Sequence, residues 1–246
     1  AELAQKSVDA ILDFGEKGFP GILVETIAIF INNLAAPANT KVFSLTHRLH
    51  LTQPQAYIFD PELPYWIIYR NQLFDSVCRK LDFDVFEVFR DRQLTNKLLS
   101  SSGELRVLKS RNLSDDGKEI LDIPGYDSYI SYAAAKPLSV FQYLDAPNVY
   151  LTPNMTYKPR MMKKPPHCVV NGSLAILIPK GGIVPTEKQL AYFSSEEYRA
   201  FYQIARNFQT RSLNVDACSV FFYGLLRDEA KPAPEKFDTS VQLSFL

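Results

Sequence analysis

The spacing of apolar and polar positions along the chain predicts a mixed fold. Residues 7–14 (SVDAILDF) read as a strand, and a Gly/Pro turn at 15–21 leads into a nearly continuous apolar run, 22–31, interrupted only by Glu25 and Thr26. Such a run predicts a strand covered on both faces. Two strands do not make an independent domain. Residues 1–40 are therefore expected to be the edge of a sheet whose other strands lie upstream, with 34–40 as a linker. Lys41–Thr46 opens the main domain as a strand, 53–60 is ambiguous, and 65–69 reads as a strand or as the opening turns of a helix. Asn71–Leu81 places Leu73, Phe74, Val77 and Leu81 on one helical face. Strands are expected at 83–89 and 148–152, and a short helix at 137–144. Two hairpins are expected, one joining 105–108 to 120–123 across Asp116-Gly117, the other joining 168–170 to 173–179 across Asn171-Gly172. Residues 186–209 read as helical, with Ser194, Ser195, Glu196 and Glu197 as a start signal. Residues 215–226 should be buried, and 227–236 form a polar, loosely ordered end.

Composition changes this picture little, and charge changes it more. The 246 residues are 46% hydrophobic and 22% charged, enough to bury a sizeable core. Seventeen Phe and thirteen Tyr suit pleated surfaces. Net charge is zero, yet residues 148–215 carry nine Lys and Arg against three Asp and Glu. That asymmetry suggests an electrostatic footprint on one face, or a plain solvated face. Three widely spaced cysteines, Cys78, Cys168 and Cys218, imply neither a disulfide framework nor a zinc site and fit a reducing cytoplasm. No apolar run is long enough to span a bilayer, and the first residues show no signal-peptide pattern. No membrane partner and a cytoplasmic location are expected. A chain that starts at Ala1 rather than Met reads as a piece of something longer.

Three stretches carry candidate chemistry. Lys109, Ser110, Arg111 and Asn112 gather at the end of a strand, either as a solvated hairpin end or as donors to phosphates and base edges. The proline-stiffened loop 153–166 holds Asn154, Tyr157, Lys158, Arg160, Lys163 and Lys164 with no acidic residue, as a phosphate-tracking element would. Arg90–Asn96, including Arg92, is either an Arg–Asp–Arg ion-pair knot or a nucleic-acid contact. Arg211 is a further candidate. Two alternatives stand beside DNA binding: a nuclease part of a fused restriction enzyme, with Asp82, Asp84 and Glu87, or Asp115, Asp116 and Glu119, as magnesium ligands, and a structural or protein-interaction domain.

The stretches FGEKGFPGILVETIAIFI (14–31), PYWIIYRN (64–71), RDRQLTN (90–96), RVLKSRN (106–112), NGSLAILIPK (171–180) and TRSLNVD (210–216) occur here in this order. Taken together the chain resembles the C-terminal half of adenine-specific DNA methyltransferases of bacterial restriction–modification systems. The resemblance implies an α+β fold: a mixed-sheet target recognition domain with packed helices at 41–246, similar to those of TaqI-like methylases and type I specificity subunits. Residues 1–40 would supply the last strands and linker of a Rossmann-like methyltransferase sheet, with Phe19-Pro20-Gly21-Ile22 at the place of the family's F-x-x-V/I turn. The implied partners are double-stranded DNA and an upstream methyltransferase domain of the same chain. The family's Asn-Pro-Pro-Tyr/Phe motif is absent, and 14–18 lacks the spacing of its Gly-rich loop. No catalytic, cofactor or metal residue is therefore assigned here, and S-adenosylmethionine is implied only for the parent enzyme. The DNA-binding set expected is Arg92, Lys109, Arg111, Asn112, Asn154, Tyr157, Lys158, Arg160, Lys163, Lys164 and Arg211.

Overall fold

The computed structural model describes residues 5–36, 38–210 and 213–228. These form an α+β chain of two units, residues 5–79 with 203–210, and residues 80–202 with 213–228.

In the first unit, β1 (Ser7–Gly15), β2 (Thr26–Asn32), β3 (Asn39–Ser44) and β4 (Leu49–Pro54) make one sheet in the order β2-β1-β3-β4. The β1–β2 and β3–β4 pairs are antiparallel, but β1 and β3 run parallel, from Ala10 opposite Lys41 to Asp13 opposite Ser44. The boundary expected at residue 40 thus falls inside a sheet. The reason is that β1 is an inner strand, and its second edge takes β3 across the segment read as a linker. The regular strand in 22–31 begins only at Thr26, and it lies at the sheet edge. Ile27, Phe30 and Ile31 are exposed on it, as are Phe19, Ile22, Leu23 and Val24 before it, so double-faced burial is not found. Short helices α1 (Gln55–Ile58) and α2 (Gln72–Cys78) follow. α2 begins at Asn71, whose Oδ1 accepts from Phe74 N at 3.0 Å and satisfies an otherwise orphaned donor. Phe74 and Val77 are fully buried, whereas Leu73, expected on the same face, is exposed; Leu81 is buried, but beyond the helix end.

The second unit comprises β5 (Leu81–Asp82), β6 (Phe86–Phe89), β7 (Leu105–Leu108), β8 (Ser128–Ile130), α3 (Tyr132–Ala135), β9 (Tyr150–Pro153), β10 (Met162–Lys163), β11 (Cys168–Val170), β12 (Leu174–Pro179), α4 (Glu187–Tyr192), α5 (Glu196–Ala205) and β13 (Leu225–Leu226). The last three residues of α5 belong to the first unit. The sheets are β10-β9-β12-β6, β11-β7-β8 and the pair β13-β5. Val107, Ile130, Leu151, Val169 and Ile176 meet in one core between the two larger sheets. Residues 139–143 form the short helix expected there, as a 3-10 turn.

Both expected hairpins take a different form. β7 pairs antiparallel with β8, and residues 113 and 120 share only an isolated bridge. β11 and β12 lie in different sheets, β11 parallel to β7 and β12 between β9 and β6. The Asn171-Gly172 corner carries the chain from one sheet to the other. A Cβ on Gly172 would stand 2.7 Å from the Asp91 carbonyl oxygen, so only glycine lets the two backbones approach. The helical stretch 186–209 is two helices, because Ser195 Oγ accepts from Tyr198 N at 3.1 Å and starts α5 afresh.

Candidate nucleic-acid interface

The candidate residues divide into a buried frame and an exposed face. Asn112 is 0% exposed. Its Oδ1 accepts from Lys109 N at 3.0 Å, and its Nδ2 donates to Leu121 O at 3.0 Å and Asp127 Oδ1 at 2.7 Å. Asp127 also accepts from Ile123 N at 3.0 Å and from Arg106 at 3.0 Å. Residues 120–127 therefore wrap around a carboxylate rather than forming a strand, and Asn112 has no free edge for a base. Asn154, 6% exposed, donates to Gly172 O at 3.1 Å and Asn214 Oδ1 at 2.9 Å and accepts from Val215 N at 3.1 Å. It anchors the loop.

Arg160 and Lys164 were expected to track phosphates. They are 8% and 4% exposed. Lys164 Nζ donates to Leu144 O at 2.7 Å and Pro165 O at 3.0 Å. Arg160 donates to Lys158 O at 3.1 Å and to Ser110 O and Leu113 O, both at 3.2 Å. Burial lowers the affinity of both side chains for their protons. The sequence marks them as cations, but their carbonyl partners lie in distant segments and draw them inward.

Arg160 has a second consequence. It ties the loop 153–161 to the turn 110–113, two stretches the sequence keeps about forty residues apart. Lys158 reinforces the join with an exposed ion pair to Asp115 at 3.4 Å. Gly117 fits beneath, with φ +72° and the site of a Cβ 3.1 Å from Met161 O. Two of the three candidate stretches thus make one surface. Met155 and Tyr157, each 55% exposed, and Lys158 stand at its rim.

Arg111 is exposed on the turn Ser110–Asn112, with Cζ 4.7 Å from the centroid of the Tyr126 ring. Lys109 Nζ lies 3.9 Å from the same centroid and donates to Tyr126 O and to Ser128 Oγ. These two bonds make Lys109 a strut, and burial lowers its proton affinity. Tyr126 was missed from sequence: it is seventeen residues from Lys109, with no local pattern to link them.

Elsewhere Asp91 accepts from Gln93 N at 3.3 Å and Leu94 N at 2.8 Å, a capped turn in place of the Arg–Asp–Arg knot. Arg92 is exposed, and so is Lys97, which the sequence reading passed over. Lys163 is exposed on β10. Arg211 lies outside the described residues. The positive excess of 148–215 is therefore only partly at the surface. Arg160, Lys164 and Arg206 are buried, while Lys158, Lys180 and Arg199 pair with Asp115, Asp84 and Glu196. Among the described residues no group of three or more His, Cys, Asp or Glu is placed to hold a metal ion. Asp84 and Asp82 instead pair with Lys180 and Arg227.

Gly15, at the end of β1, has φ +52° and packs directly against Thr46, which leaves no space for a Cβ. Among the described residues no helix is long and apolar enough to cross a membrane. No protein-family model matches the chain, and no curated protein matches it.

Proposed function

We propose that the chain is the target-recognition part of an adenine-N6 DNA methyltransferase of a restriction–modification system, binding duplex DNA for a methyl-transferring domain upstream in the same polypeptide. The reading rests on the ordered series of resembling stretches in the sequence. The observation that carries it is the Arg160 clamp, which ties the turn carrying Arg111 to the loop whose Met155, Tyr157 and Lys158 are exposed. Arg111 and Lys158 are the phosphate and base donors of this joined surface, and the exposed Arg92 and Lys163 lie outside the joined stretches as further phosphate donors. Asn112, Asn154, Arg160 and Lys164 act beneath it as frame, not as contacts. Lys109 props Arg111. The exposed apolar side chains of β2 and the segment before it supply the face on which the upstream domain would add. S-adenosylmethionine would bind to that upstream domain.

The test is fluorescence anisotropy of the full chain with labelled duplex DNA over a salt series. Binding should weaken linearly in log–log form, and Arg92→Ala and Lys163→Ala should each reduce the slope by about one unit. Breaking the exposed Lys158–Asp115 pair costs little, so Lys158→Ala should behave alike. A chain that fails to bind duplex at low salt, or slopes unmoved by all three changes, refutes the proposal.

A further inference from the structure

Resting on the DNA-binding reading above, we infer that Arg111 is a specificity-determining residue, recognising a guanine in the major groove. Three features set it apart from the other cations. Its backbone is held from below, because the buried Asn112 side chain closes the turn against Lys109 N, Leu121 O and Asp127. Arg160 fixes the same turn from the other side through Ser110 O and Leu113 O. Its guanidinium lies over the Tyr126 ring, whose main-chain oxygen accepts from Lys109 and whose ring Lys109 Nζ also contacts at 3.9 Å. An exposed arginine normally loses much rotamer entropy when it docks. Here the ring restrains the side chain beforehand while leaving the donor fork in solvent. A phosphate contact needs no such restraint, since an exposed lysine such as Lys163 serves as a point charge. A pre-set, permanently charged, planar fork matches guanine, whose N7 and O6 are the paired acceptors an arginine takes in the major groove.

The experiment is selection of duplexes from a pool with a randomised central stretch, using the full chain, Arg111→Ala, Arg111→Lys and Tyr126→Leu. The wild type should enrich a defined sequence. Arg111→Ala should lose discrimination at one guanine by about tenfold to a hundredfold, with preferences at the other positions and the salt slope unchanged. Arg111→Lys should restore little of it, and Tyr126→Leu should weaken discrimination at that same guanine. Uniform weakening with a slope reduced by about one unit would make Arg111 a phosphate contact and overturn the inference. Lost discrimination at a base other than guanine, or an unchanged selection, overturns it equally. A wild type that enriches no sequence removes the underlying reading, and is told apart because it appears before any substitution.

Discussion

Replacing Arg160 tests the step on which the composite surface depends. Arg160→Met keeps the volume of the aliphatic stem and removes three donor bonds, to Lys158 O at 3.1 Å and to Ser110 O and Leu113 O at 3.2 Å. Bonds from a charged donor carry about 1.5–3 kcal/mol each, and a buried acceptor left unmade costs about 1–3 kcal/mol. The three do not count equally. The bond to Leu113 O is fully buried, so its loss carries the whole penalty, while water can reach the other two carbonyls in part. The guanidinium is also relieved of burial, including an Nε with no partner. The net expectation is a loss of about 2–4 kcal/mol. Trp66, the single tryptophan, lies in the first unit and is a poor reporter of this change. Urea unfolding followed by far-ultraviolet circular dichroism gives the stability, and hydrogen exchange gives the location. Protection should fall together over residues 109–117 and 154–161, and Arg160→Lys should be intermediate. Loosening of one segment alone, or a stability within about 0.5 kcal/mol of wild type, would show that Arg160 does not couple them.

Two further outcomes separate frame from surface. Lys163→Ala should leave the urea midpoint unchanged, whereas Lys164→Ala should cost about 2–3 kcal/mol by leaving Leu144 O and Pro165 O without their donor; Lys164→Met, which keeps the stem without burying a charge, should cost less, and equal effects at 163 and 164 would contradict the assignment. Asp127 experiences a burial penalty that its bonds from Ile123 N, Asn112 and Arg106 outweigh, so its carboxyl titrates below the ordinary carboxylate range. A depressed folded-state value means that its stabilisation is present above the unfolded-state value and is lost as pH falls through the folded one. Asp127→Asn should therefore lower the urea midpoint at neutral pH and flatten its dependence on acid pH, and an unchanged acid dependence would count against this.

Much of the secondary structure was legible in the residues themselves, because it follows from short-range chemistry. The period read over 71–81 marks α2, although the helix stops at Cys78; the Ser195 signal marks the start of α5; apolar runs mark β1, β9 and β12. What the sequence could not decide was which strand each strand takes as partner. The Asn171-Gly172 and Asp116-Gly117 corners are genuine turns, yet β11 runs parallel to β7, and β7 takes β8 beyond them. Strand pairing depends on which side chains can share a core across long separations, and a turn of four residues carries no information about that. The site shows the same division. A sequence states that Arg160, Lys164, Arg111 and Lys163 are cations; only the fold decides which of them finds carbonyl oxygens inside and which is left facing water. Burial converts a charge from a contact into a clamp, and burial is a property of the assembled chain.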